Sequence, residues 1–217
     1  MKYGMALILA CLLAACSHTR GPEERTDDGL VRVPSRAAGG VYRAPGVDFT
    51  PYKRVILEPP TIEFEKGWRK SHEDVSDADV ARILATSVKL FREEFANIVV
   101  EDGPYEFADA PAPDVLLIVP RIVDLDIPAP ETNNPIGVKQ YTPGPVKMQV
   151  IGEMRDASSN TLVARVIVFE GQERYGINDF RLANRVTNSH EMRMGFAKWS
   201  RMALEALNVA KAGQPLK

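Results

Sequence analysis

The stretch VKMQVIGEMRDASSNTLVARVIV, residues 146–168, decides how this chain folds. Val146, Met148, Val150 and Met154 alternate with Lys147, Gln149, Glu153 and Arg155, the period-two pattern of a strand with one buried and one wet face. Asp156 to Asn160 is a polar turn, and Leu162, Ala164, Val166 and Val168 answer on the return. Two half-buried runs around a short polar turn predict an antiparallel hairpin. Its apolar face then needs helices or a second layer to cover it.

Candidate covers lie on both sides. Ser76 followed by Asp79 has the spacing of a capping box, and Val80, Leu84, Val88, Phe91 and Phe95 then recur at three- and four-residue steps, which predicts a helix to about residue 96. Asn188 and Glu191 repeat the capping spacing before Met192, Phe196, Trp199, Ala203, Ala206 and Ala210, with Met202 and Leu207 beside that stripe. The remaining signals are strands. Tyr52 to Glu58 is stopped by Pro59-Pro60, with Ile62 and Phe64 able to extend it beyond the break. Ile98 to Val100 reads as a short strand, and Val115 to Val119 as an unbroken apolar strand. Pro120 has no N–H for a ladder, so a bulge or bend is expected before Arg121 to Ile127. The order β, α, β, several strands, α predicts an α+β fold: a mainly antiparallel mixed sheet with two long helices packed on one face.

Composition agrees with one water-soluble domain. The chain has 217 residues, 45% hydrophobic and 26% charged, with Lys+Arg 27 against Asp+Glu 29. Two cysteines, Cys11 and Cys16, exclude a disulfide-stapled scaffold, and a net charge of −2 leaves no basic footprint for nucleic acid.

The amino terminus carries an address. Met1-Lys2 is followed by an apolar run from Gly4 to Ala15, shorter than the roughly 20 residues that span a bilayer as a helix. Residues 1–15 therefore read as a signal peptide. Leu13-Ala14-Ala15-Cys16 resembles the bacterial lipobox, where cleavage leaves the cysteine lipidated. Each buried methylene of lipid is worth about 0.8 kcal/mol, so several acyl chains anchor lastingly. Ser17, by resemblance to the sorting rule of enteric bacteria, directs the protein to the outer membrane facing the periplasm, with the inner membrane as the alternative. Residues 16–50 are Gly- and Pro-punctuated with scattered charge, and are expected to be the lipidated Cys16 and a flexible tether reaching roughly 30–35 Å; the alternatives for Leu30 to Val33 are a partner-binding segment or an edge strand. Residues 51–217 are expected to form a single α+β domain.

Chemistry is hard to find. His18, His72 and His190 have no second histidine at helical spacing, and His190-Glu191 lacks the closing histidine of a zinc protease. Asp74, Asp77 and Asp79 lack the glycine and distal glutamate of a calcium loop and suit a first helical turn. There is no Gly-x-Ser-x-Gly elbow, Ser-x-x-Lys motif or phosphate-cradling loop. Carboxylates such as Glu153 and Asp124 read as the wet face of a sheet. No catalytic residue, cofactor or metal is expected, and the chain reads as a non-enzyme. Residues 128–145, with five prolines, form a long connection that serves as a docking segment or a mobile crossover.

The chain resembles the bacterial lipoproteins catalogued as domain of unknown function 3313. The resemblance rests on Asp48-Phe49-Thr50-Pro51-Tyr52-Lys53-Arg54-Val55, the strand opening at Asp114, Glu153-Met154-Arg155-Asp156, and Phe196-Ala197-Lys198-Trp199. It implies a cell-envelope lipoprotein of a family to which no activity is assigned. The expected role is a membrane-anchored, non-enzymatic periplasmic interaction or accessory domain, bound to the membrane through lipid on Cys16 and contacting an unidentified envelope protein or polymer. The alternative is a carrier or sensor of a lipid or other apolar ligand, with a pocket between sheet and helices lined by Phe91, Phe95, Met148 and Trp199. Cells fed radioactive palmitate are expected to label the protein at Cys16, and Cys16→Ala is expected to abolish labelling.

Overall fold

The predicted hairpin sits near the middle of an eight-stranded mixed sheet. The computed structural model describes residues 24–127, 140–142, 146–171 and 181–213, with backbone alone for 140–142 and 181–183. Its strands are β1 (Val31–Val33), β2 (Gly40–Arg43), β3 (Arg54–Leu57), β4 (Thr61–Phe64), β5 (Glu106–Phe107), β6 (Val115–Asp126), β7 (Gln140–Thr142), β8 (Lys147–Asp156), β9 (Leu162–Glu170) and β10 (Arg181–Ala183). The helices are α1 (Trp68–Ser71), α2 (Asp77–Phe95) and α3 (Arg185–Lys211). The sheet runs β1-β2-β9-β8-β6-β3-β5, with β4 also paired to β6, and β7 and β10 form a separate ribbon. Pairing is antiparallel from β1 to β6 and parallel where β3, β4 and β5 join. The fold is α+β, as the sequence implies.

The hairpin register places Gly152 opposite Val166, on the face that also carries Met148, Val150 and Met154. A side chain is missing there for a physical reason. A Cβ on Gly152 would lie 1.9 Å from Cζ2 of Trp199, so the glycine lets the indole lie flat on the strand while Nε1 donates to the Val166 carbonyl at 3.2 Å. One turn before, Gly195 gives way to Met148 in the same manner. Phe91 and Phe95 of α2 close over the indole, with ring centroids 5.3 and 6.3 Å away, and Phe91 meets Phe196 edge-on. Arg193 ties the two helices through Glu93 and Glu94.

Several expectations are corrected. The tether ending at residue 50 is wrong from Glu24 onward: β1 and β2 extend the sheet, β2 pairing with β9, and Leu30, Val41 and Phe49 are buried. The edge-strand alternative at Leu30 to Val33 is the one that forms, as β1, whereas β2 is too short a pattern to stand out and the strand that completes the ladder lies far downstream. Ile98 to Val100 is helical, a wider turn over Ala96–Glu101 that continues α2 and buries Val99. The buried face of α2 runs through Ser87 and Leu90 as well as Phe91 and Phe95, while Leu84 and Val88 are only half-buried; a small residue is needed where α3 comes close, and the Ser87 hydroxyl donates to the Ile83 carbonyl at 2.9 Å. Helix α3 starts at Arg185, one turn earlier than expected, because Asn184 accepts from Val186 and Thr187 N–H.

Pro120 introduces no bulge into the strand. It pairs with Gly152 inside β6, and its other edge faces the break between β3 and β4, after Glu58 N–H has donated to Ile118, so no ladder bond is lost. The irregularity falls later, between Val123 and Asp126, where Asp124 has φ 52°. The Ser76–Asp79 capping box forms as expected. The signal peptide, Cys16 and most of the Pro-rich connection 128–145 lie outside the described residues, the β7 backbone being the described part of that connection. Gly152→Ala is expected to destabilise the protein by about 2–3 kcal/mol through overpacking against Trp199, read as a lower urea midpoint at unchanged slope.

Candidate functional site

Helix α3 covers one face of the sheet through Trp199 and Gly195; the opposite face is the candidate site. Its side chains lie in rows fixed by register. Val119, Glu153, Arg165, Tyr42 and Arg32 follow one another across β6, β8, β9, β2 and β1. The next row is Arg121, Ile151 and Ile167, and beyond it come Val123, Gln149 and Phe169. Val119, Val123, Ile151, Ile167 and Phe169 are all only half-buried. They form an apolar patch bordered at one end by that first, ionic row and broken by Arg121 and Gln149; Gly39 packs against Ile167, and no described helix lies on the patch.

That row is a network. Arg165 donates to Glu153 at 2.9 Å and to Asp28, and Arg155 donates to Glu153 at 2.6 Å. Burial pushes the Glu153 carboxyl up, but the hydrogen bonds from Arg155 and Arg165 outweigh it and hold the group below its ordinary range. Burial likewise disfavours the Arg165 cation, and the bonds to Asp28 and Glu153 reverse this. Asp28 belongs to a turn closed by Thr26, whose hydroxyl accepts from Leu30 N–H at 3.0 Å. Arg165 therefore pins the first described segment to the sheet. Sequence reading passes over Arg165 because alternation marks it only as a wet-face residue.

A second cluster joins three of the segments behind the family resemblance. Tyr52 donates to Asp156 at 3.0 Å, and Arg54 grips Asp114 through two bonds of 2.8 and 2.7 Å. Asp156 is held down to about 2, chiefly by the Ser158 hydroxyl, against some burial, with Ser159 and Tyr52 adding donors. Burial and the bond to Asp156 push the Tyr52 phenol up to about 12, so it remains a donor. The fourth segment, Phe196 to Trp199, is core on the other face. Every carboxyl with a resolved shift, among the described residues, moves downward. These groups serve as anionic acceptors.

The other expected residues are placed as follows. Phe91, Phe95, Met148 and Trp199 do converge, but they are 0–1% exposed and packed ring on ring. They fill the space between sheet and helices, which removes the pocket that the carrier reading requires. A cleft between α2 and α3 beside Ile127 and Met192 has a volume of about 30 Å³, room for roughly one water. Asp79 is engaged with Ser76 and Arg82, and Asp77 with Arg69. His72 caps the carboxyl end of α1, half-buried and stacked 4.6 Å from Trp68. Trp68, missed as core, donates to the Ile127 carbonyl at 3.1 Å. Among the described residues no three His, Cys, Asp or Glu side chains gather as a metal site would need. Cys16 lies outside the described residues.

Two outcomes follow for the Asp156 cluster. A carboxyl whose folded pKa is depressed stabilises the fold above its unfolded value of about 4, and that contribution is lost as pH falls toward 2. Asp156→Asn is therefore expected to flatten the stability curve between about pH 4 and pH 2. Tyr52→Phe is expected to cost about 1–2 kcal/mol at neutral pH in urea unfolding.

No protein-family model matches the chain, and no curated protein matches it. Among solved structures it is similar to a PelC dodecamer from Paraburkholderia phytofirmans, at 10% identity and a TM-score of 0.36, covering 75% of this chain and 97% of that one. It is also similar to a neuraminyllactose-binding hemagglutinin homolog from Helicobacter pylori, at 11% identity and a TM-score of 0.35, covering 75% of this chain and 83% of that one. Likenesses this distant carry no argument about what the chain does.

Proposed function

We propose that this chain is a lipid-anchored protein of the bacterial cell envelope that works without chemistry of its own, by presenting the open sheet face to another envelope component. The observation that carries the reading is the half-buried apolar strip of Val119, Ile151, Ile167 and Phe169 on a face that no described helix covers. Contiguous apolar surface of this kind marks interaction sites. The ionic row through Glu153 and Arg165 borders the strip, giving orientation and selectivity beside the apolar contact.

The lipid anchor rests on Ala14-Ala15-Cys16, and Ser17 favours the outer membrane facing the periplasm. Anchoring confines the domain to a thin layer and raises its effective concentration beside other membrane-bound components. The partner is an envelope protein or polymer, and nucleic acid is not favoured by a net charge of −2.

Affinity capture after crosslinking in intact cells tests this. The wild type is expected to retain a reproducible partner. Cys16→Ala is expected to lose most of it, and Ile151→Glu to reduce it by at least about tenfold while the protein still folds and fractionates with membranes. Capture unchanged by Ile151→Glu would refute the assignment of this face.

A further inference from the structure

A groove opens where the β1–β2 edge meets the carboxyl end of α3. Val31, Val33, Val47, Phe49 and Ala210 supply its apolar walls, Arg43 lies among them, and its volume is about 370 Å³. Among the described residues no carboxylate lines it. Arg43 is half-buried, and no ion pair or side-chain hydrogen bond engages its guanidinium among the described residues. Taking that cation partly out of water lowers its pKa, and nothing opposes the effect. An uncompensated cation in an apolar wall is a cost to the fold, and an anionic group with an apolar neighbour would relieve it.

Chain length says what lies nearby. Cys16 is separated by residues 17–23 alone from Glu24, the first described residue, whose carbonyl accepts from Arg32 N–H of β1 at 2.9 Å. Eight links extend at most about 29 Å. A lipid on Cys16 therefore holds the β1–β2 edge close to the bilayer surface, with its phosphates within reach. The volume also lies in the range of about 300–1,000 Å³ typical of small-molecule sites.

We propose that this groove seats the phosphate of a membrane phospholipid on Arg43, with the lipid's apolar portion against Val31, Val33 and Val47, so that the domain rests on the bilayer by this corner. The proposal rests on the lipid-anchor reading above. Because the anchor already confines the domain, a weak contact is enough to orient it.

Full-length protein, processed in cells and purified with its lipid, is reconstituted in vesicles of phosphatidylethanolamine and phosphatidylglycerol carrying a surface spin label. A fluorophore is placed on Ala212→Cys, beside the groove, or on Val186→Cys, which is exposed and about 39 Å away along α3. Quenching is expected to be at least about threefold stronger at position 212. Arg43→Glu is expected to reduce it to the level at position 186, and Arg43→Lys to preserve it. A check that does not depend on a folded variant replaces the phospholipids with a phosphate-free galactolipid, which is expected to abolish the difference. Equal quenching at both positions, or a difference that survives the galactolipid, overturns the groove assignment while the protein still sediments with vesicles. Protein that lacks lipid by mass and stays in the supernatant overturns the anchor reading, and the groove assignment with it.

Discussion

The indole of Trp199 occupies the space that any side chain at position 152 would need. A Cβ there would approach the ring to 1.9 Å, so the strand and α3 can meet only because residue 152 is glycine. The contact fixes the hairpin's register, since a slip of one residue would put a side chain under the ring and turn Met148, Val150 and Met154 to solvent. It also fixes α2, whose Phe91 and Phe95 pack on the same indole. Buried aromatic rings at such separations add to what their area contributes. The closed core leaves the opposite face of the sheet as the surface on which function can act.

That face is neither a core nor an ordinary wet surface. Glu153 and Arg165 are 19% and 17% exposed in their side chains, shielded enough for their geometry to matter and open enough to avoid the full desolvation cost of a buried pair. The same Arg165 holds Asp28. The network thus joins the domain's first described segment to the central hairpin, and the half-buried Ile151, Ile167 and Phe169 lie beside it with no described helix over them.

Sequence periodicity reveals the elements whose signal is local. The first strand of the 146–168 hairpin alternates apart from Ile151 and Gly152 and is followed by a polar turn, and Ser76 with Asp79 makes a capping box that needs only four residues to be read. Elements that depend on distant partners are not legible in this way. Leu30 to Val33 offers an edge strand only as an alternative to linker, and Gly40 to Arg43 looks like linker, until β9 and β2 supply the ladder. Ile98 to Val100 has strand composition, but the end of α2 carries it into another helical turn. The open face is legible only as a wet one: alternation gives Glu153 and Arg155 but cannot show that Arg165 and Asp28 meet them. Gly152 is a break in the apolar alternation whose meaning emerges only once Trp199 is in place.

The central claim is that the sheet face bearing Glu153 and Ile151, and not the helical side, meets the partner. A photoreactive amino acid placed in living cells at Ile167 on that face, or at Met194, which is 55% exposed on α3, tests it most directly. The account predicts a discrete, reproducible adduct from position 167 and none of that mass from position 194. The same adduct from position 194, with none from position 167, would contradict it.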